Sequence, residues 1–204
     1  AGHAQPPERR EGEDKTAWAE RVTAQITRAR DRLHRELGEA VADEPPLLAY
    51  PYGDYDAELA ELVRELGYVG VAAKPGVIGD ETDPRALPRF YVGSAAHYMA
   101  RFRQRVAARA LPVAEAEPWD PATDTERPRL RVALQEPVAG WQGLSCYVRG
   151  QGKPAKVAWQ EAGRAFTVRA REPLREGSSR YNCVLRGPEG RKWWYSHHWR
   201  SGRP

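Results

Sequence analysis

Leu47-Leu48-Ala49-Tyr50-Pro51-Tyr52-Gly53-Asp54-Tyr55-Asp56 is the stretch on which the reading of this chain turns. Leu47 to Tyr50 is an apolar run too short for a helix and stopped by Pro51-Tyr52-Gly53, which predicts a buried strand. Asp56 then suits the N-cap of a helix whose apolar positions Leu59, Leu62, Val63 and Leu66 share a face, with Gly67 closing it. Tyr68-Val69-Gly70-Val71-Ala72-Ala73 reads as a second strand. Strand, helix and strand within about 27 residues make a βαβ unit, with parallel strands and a right-handed crossover. In parallel α/β arrangements ligands collect beyond the C-terminal ends of the strands, where this turn sits. Pro51 fixes the backbone and Gly53 admits an unusual dihedral, so the Tyr52 amide is a candidate oxyanion donor; an ordinary βα turn is the competing reading.

Upstream, residues 1–13 are polar and aperiodic and read as a loop. From Asp14 onward Trp18, Val22, Ile26, Ala29, Leu33 and Leu37 form one helical stripe, and Gly38 stands where a left-handed C-cap belongs. The opposite face is rich in Arg and Glu, so the helix is expected on a surface. A further helix is expected from a Ser94 cap, burying Met99, Phe102 and Val106. Pro112 to Pro128, acidic and carrying four prolines, reads as a linker. Beyond it the period changes: 130–134, 144–149, 156–160, 165–169, 180–185 and 192–196 are short strand-like runs, which argues for a small antiparallel sandwich. Most aromatics there are expected in the core, with one of the adjacent pair Trp193 and Trp194 left exposed.

The chain has 204 residues, 41% of them hydrophobic and 29% charged, and a mean hydropathy of −0.74. No apolar run approaches 18 residues, so no membrane-spanning helix is expected. Seven Trp and nine Tyr, with many Val and Leu, argue against disorder. The net charge of +4 conceals an asymmetry: residues 1–139 balance at −5 and residues 140–204 at +9. The basic residues are scattered rather than clustered, so nucleic acid is not the expected partner. His197-His198 read as surface residues of a C-terminal tail. The chain opens Ala-Gly-His with no signal stretch, which reads as a processed product or a piece of something longer.

Ala49-Tyr50-Pro51-Tyr52-Gly53-Asp54-Tyr55-Asp56, then Glu65-Leu66-Gly67-Tyr68-Val69-Gly70, Asp83-Pro84 and Leu87-Pro88-Arg89-Phe90, follow one another in an order that resembles the C-terminal half of the catalytic domain of polysaccharide deacetylases. These are metal-dependent carbohydrate esterases that include chitooligosaccharide and peptidoglycan deacetylases. The resemblance spans residues 1 to about 111; Arg180-Tyr181-Asn182-Cys183 and Trp194-Tyr195-Ser196 resemble C-terminal extensions of some bacterial members more loosely. It implies an α/β fold: a partial (β/α) barrel over 1–111, a linker over 112–128 and a β-sandwich over 129–204. It further implies a divalent metal, zinc or similar, held in the complete enzyme by one Asp and two His, with His3 as the surviving ligand. The Thr-Phe-Asp-Asp-Gly motif that supplies the base is absent. An Arg-x-Pro-Tyr motif aligns onto Ala49 to Tyr52, leaving Arg89 to replace the missing arginine. Tyr52 would then be the backbone oxyanion donor, and Tyr50, Pro51, Gly53 and Asp54 would meet the substrate. No Leu-x-His motif is visible, and His97 is expected to cap or pack the third helix.

The reaction so implied is hydrolysis of the N-acetyl amide of an amino-sugar polymer, outside the cytoplasm, by metal-activated water. Lacking the base and two ligands, the chain alone is expected to be inactive and to hold no metal usefully. The alternative is a non-catalytic extracytoplasmic carbohydrate-binding protein with the barrel remnant as scaffold. An open barrel edge would favour self-association. Cys146 and Cys183, in an extracytoplasmic protein, are expected to be joined across the two sheets of the sandwich, for roughly 3–4 kcal/mol in the chain-entropy model; two buried thiols are the other reading.

Overall fold

The computed structural model describes residues 8–38, 46–91, 98–187 and 190–201. The chain divides into two compact units, one comprising the residues up to Ala72 with Pro84–Leu87, the other Ala73–Asp83 with the residues from Pro88 onward. Helix α1 is Lys15–Leu37, α2 Ala57–Glu65 and α3 Tyr98–Val106.

In the first unit, β1 (Leu47–Ala49) and β2 (Val69–Val71) pair in parallel on either side of α2, as the βαβ pattern predicts. Asp56 caps α2, its carboxylate accepting from the Leu59 amide at 2.8 Å, a contact worth about 1 kcal/mol. Gly67 follows in the left-handed region at φ 81°. Beyond β2 the ladder continues only as a single parallel bridge from Val71 to Leu87. Gly70 is required here: a Cβ would fall on the Arg85 carbonyl and the Tyr50 hydroxyl. Helix α1 starts from Asp14, whose carboxylate accepts from the Ala17 amide at 2.8 Å. Arg21 grips Glu13 at 2.5 and 2.7 Å and holds its carboxyl down to about 2. Of the stripe only Trp18 and Val22 are buried; Leu33 and Leu37 are 52% and 54% exposed.

The second unit is a β-sandwich. One sheet runs β3 (Arg109–Ala110), β11 (Lys192–Ser201), β10 (Gly177–Arg186), β7 (Ser145–Val148), with β5 (Ala122–Thr123) also on β11. The other runs β4 (Val113–Glu117), β6 (Arg129–Leu134), β9 (Ala165–Arg169), β8 (Lys156–Gln160). Leu130, Val132, Phe166 and Val168 meet Val148, Tyr181, Leu185 and Trp199 in one core. Tyr181 is buried yet satisfied, its hydroxyl donating to the Pro128 carbonyl at 2.5 Å and accepting from the Ala170 amide at 3.1 Å.

The barrel expectation fails on this architecture. The described residues hold three helices against eleven strands, most of them antiparallel in a sandwich, and the parallel sheet stops at two strands. The boundaries move with it. Unit two begins at Ala73, and the supposed linker contributes β4, an antiparallel neighbour of β6. The expected stripe of α3 is not buried: Met99, Phe102 and Val106 are 57%, 39% and 69% exposed, while Ser94 and His97 lie outside the described residues.

Candidate functional site

The C-terminal end of β1 turns through Pro51–Gly53, with Tyr52 at φ 57° and Gly53 at φ 78°. A non-glycine residue in that region carries strain of order 1–3 kcal/mol, and the Tyr52 side chain, 64% exposed, gains nothing from burial in return. Tyr50 is a pillar of the unit, 1% exposed, donating to the Arg85 carbonyl at 2.7 Å and stacking on Tyr55 at 5.0 Å. Gly53 is buried, and Pro51 and Asp54 are half-buried. Arg89 is exposed and belongs to the other unit; its amide donates to the Lys74 carbonyl. His3 lies outside the described residues.

A second open feature of the first unit lies along β1 itself. The Val69 amide donates to the Pro46 carbonyl and the Tyr50 amide to the Val71 carbonyl, each at 3.0 Å. Backbone groups alternate in direction along a strand, so Leu48 shares the side that faces β2, and the amides and carbonyls of Leu47 and Ala49 point to the other edge. Among the described residues no strand pairs there. Between that strand and α1 runs a cleft of about 570 Å³, lined by Ile26, Leu33, Leu47, Leu48, Leu59 and Tyr68. Arg30 and His34 stand on its α1 side. Sequence periodicity identified the α1 stripe but not its lack of cover, because periodicity marks an apolar face and not what meets it.

A second polar group gathers on the sandwich. Arg180 and His198 are opposite one another in the β10–β11 register and share a face with Asn182, Ser196 and Trp194. Asn182 accepts from the Trp194 indole and the Ser196 hydroxyl, both at 2.7 Å, and Trp194 meets Phe90 edge-on at 5.1 Å. Trp193 packs from the opposite side against the core, so neither tryptophan of the pair is exposed. Arg180 donates to the Ala73 carbonyl at 2.8 Å. Burial pushes the neighbouring Lys74 ammonium down to about 8, against the charge of Asp83. His197 and His198 are 5% and 2% exposed, not surface residues of a tail, because β11 continues through them to Ser201. Burial, then the charges of Lys74 and His198, hold His197 well below the usual histidine range. As successive residues of a strand the two imidazoles point to opposite faces, which denies them a common ion.

Cys146 and Cys183 are joined and wholly buried. They sit directly opposite on neighbouring strands β7 and β10, so the bridge lies within one sheet rather than across the two. Among the described residues no group of three or more His, Cys, Asp and Glu could hold a metal ion, and the zinc expectation has no support. No described helix is long and apolar enough to cross a membrane.

No family model and no curated protein matches the chain. Among solved structures, PcoC, a copper resistance protein from Escherichia coli, is similar over 44% of this chain and 98% of its own, at 14% identity and a TM-score of 0.33. CopC from Methylosinus trichosporium OB3b is similar over 45% of this chain and 95% of its own, at 15% identity and a TM-score of 0.34. Likeness at that level assigns no ligand and no residue role to this chain. The resemblance to polysaccharide deacetylases is nonetheless corrected. No family model and no curated relative carries it, and among the described residues the barrel it requires is absent. The hydrolase reading falls with it, and the carbohydrate-binding alternative, which took its scaffold and its ligand from the same resemblance, has no support either.

Proposed function

We propose that this chain is an extracytoplasmic binding protein whose first unit receives an extended segment of a partner protein as an added strand on β1. The observation that carries this reading is the coincidence of a bare strand edge with an apolar cleft on the same three residues. Strand addition draws affinity from main-chain hydrogen bonds and specificity from pockets that take alternate side chains. The outward amides and carbonyls of Leu47 and Ala49 supply the first. The cleft beside Ile26, Leu33 and Tyr68 supplies the second.

Charge narrows the occupant. The second half of α1 carries Arg28, Arg30, Arg32 and Arg35 against Asp31 and Glu36. An apolar segment flanked by acidic residues is complementary to that rim, whereas a second copy of the chain would bring two arginine-rich helices together. The buried disulfide supports work in an oxidising compartment.

Titrating the full chain against the labelled peptide acetyl-Val-Thr-Val-Thr-Val-Asp-Asp-amide tests the reading. Ala49→Pro removes an outward donor that bonds nothing among the described residues, so it should weaken binding about tenfold or more while the melting temperature holds. Leu33→Asp, at an exposed wall of the cleft, should do the same through charge. Unchanged affinity in both variants would refute strand addition, and peptide-independent dimers lost in Ala49→Pro would assign the edge to self-association instead.

A further inference from the structure

The outer face of the sheet that holds β6, β9 and β8 sets like charges against one another. Leu130, Val132, Phe166 and Val168 enter the core, so the residues that alternate with them face outward. Arg129 stands directly opposite Arg169, and Arg169 directly opposite Lys156, which makes one row of three exposed cations across three strands. Strands lie about 4.8 Å apart, and like charges directly opposite destabilise a sheet. Two more exposed arginines flank the row. Arg169 donates to the Arg127 carbonyl at 3.0 Å, Arg127 to the Arg171 carbonyl at 3.3 Å, and Arg171 to the Pro154 carbonyl at 2.6 Å. Each bond uses one of five N–H donors on a neutral carbonyl and leaves the charge uncompensated. Glu126 and Glu172 adjoin Arg127 and Arg171 in the chain, yet among the described residues no ion pair joins any of the five cations to a carboxylate. Arg131, on the same face, has the ordinary arrangement, between Glu115 at 3.9 Å and Glu161 at 3.3 Å.

We infer that this row binds a condensed phosphate chain, an oligophosphate whose successive anionic groups lie along Arg129, Arg169 and Lys156. Guanidinium forks match phosphate oxygens bidentately, and the carbonyl bonds hold Arg127, Arg169 and Arg171 in place before a ligand arrives. Cations one strand apart call for a ligand charged at comparably short intervals. Carboxylates on one face of an extended peptide are about 6.7 Å apart, whereas an oligophosphate carries charge on every unit, each joined to the next through one oxygen. Beside the row the face holds Arg131, Thr167, Ala158 and Gln160, with no aromatic ring to stack a base and no large apolar side chain to enter a bilayer. This row belongs to the second unit and does not depend on strand capture by the first.

Calorimetric titration of the full chain with sodium tripolyphosphate in metal-free buffer tests the inference. Saturable binding that weakens as salt is raised is expected, with inorganic monophosphate weaker by about a hundredfold or more. Arg129→Gln with Lys156→Gln replaces only exposed side chains and should weaken tripolyphosphate about a hundredfold. The melting temperature of that variant without ligand should hold or rise, because the like-charge row is relieved. Arg101→Gln with Arg103→Gln, an equal loss of charge on α3, should leave the affinity unchanged. No binding of tripolyphosphate by the native chain would overturn the inference. So would equal losses in the two double variants, which would reduce the effect to net charge. Hexaglutamate bound as tightly as tripolyphosphate would assign the row to an acidic protein segment and equally refute the phosphate reading.

Discussion

Replacing Lys74 with methionine asks whether the polar group on the sandwich encloses a costly charge. Lys74 follows Ala73, whose carbonyl is held by Arg180 at 2.8 Å. Burial brings its ammonium from 10.5 down to about 8, with the charge of Asp83 working the other way. A displacement of that size corresponds to about 3 kcal/mol of destabilisation while the group is charged. Lys74 is only half-buried by its surface, and methionine forfeits the attraction of Asp83, so about 2 kcal/mol is the expected gain. Between pH 8 and 10.5 the unfolded chain holds a proton that the folded chain has released, so wild-type stability rises with pH across that window and the penalty is constant below it. Lys74→Met should therefore lead wild type by about 2 kcal/mol near neutrality and lose the lead by pH 10.5. Urea unfolding of both proteins at matched pH values measures the difference. Subtraction cancels the opposite slope expected from Tyr195, whose hydroxyl is raised by burial. A variant no more stable than wild type at neutrality, or one with a lead independent of pH, would refute the argument.

Three further outcomes are expected. Cys146→Ala with Cys183→Ala opens a loop of 37 residues and should cost about 4 kcal/mol in urea unfolding; an unchanged midpoint would deny the bridge its role. Gly70→Ala should destabilise the first unit by about 2 kcal/mol or more, because its methyl group has only the Arg85 carbonyl and the Tyr50 hydroxyl to occupy; a neutral result would mean the β2 neighbourhood is looser than described. Below pH 6.5 the unfolded chain binds a proton at His197 that the folded chain refuses, so stability should be full above that pH and fall as acid is added; a His197→Phe variant with the same acid slope would remove this residue from the explanation.

Local chemistry was legible in the sequence wherever a single element decided its own form. Asp56 and Gly67 bounded α2, and the strand-like runs 156–160 and 165–169 coincide with β8 and β9. Elements whose form depends on a neighbour were not. Val113-Ala114-Glu115-Ala116-Glu117 looked like linker because small and acidic residues lie between prolines, which is also the composition of a strand at the edge of a sheet. His197-His198 looked solvated because two imidazoles carry no apolar signal, yet β10 on one side and β3 and β5 along the other edge draw the strand into the sheet. The stripes of α1 and α3 have the same period, and one is half-covered while the other faces outward. The short motifs around Tyr50-Pro51-Tyr52-Gly53 favoured a deacetylase because a βα turn of this kind is built by local rules that many folds share.

The bare edge of β1 carries the central claim, and amide hydrogen exchange read residue by residue on the full chain tests it most directly. With the Val-Thr-Val-Thr-Val-Asp-Asp peptide in excess, the amides of Leu47 and Ala49 should slow about tenfold or more, because an added strand now accepts from them. The amides of Leu48 and Tyr50, already directed at β2, should keep their rates. Leu47 and Ala49 amides that exchange as fast with bound peptide as without it would contradict the account.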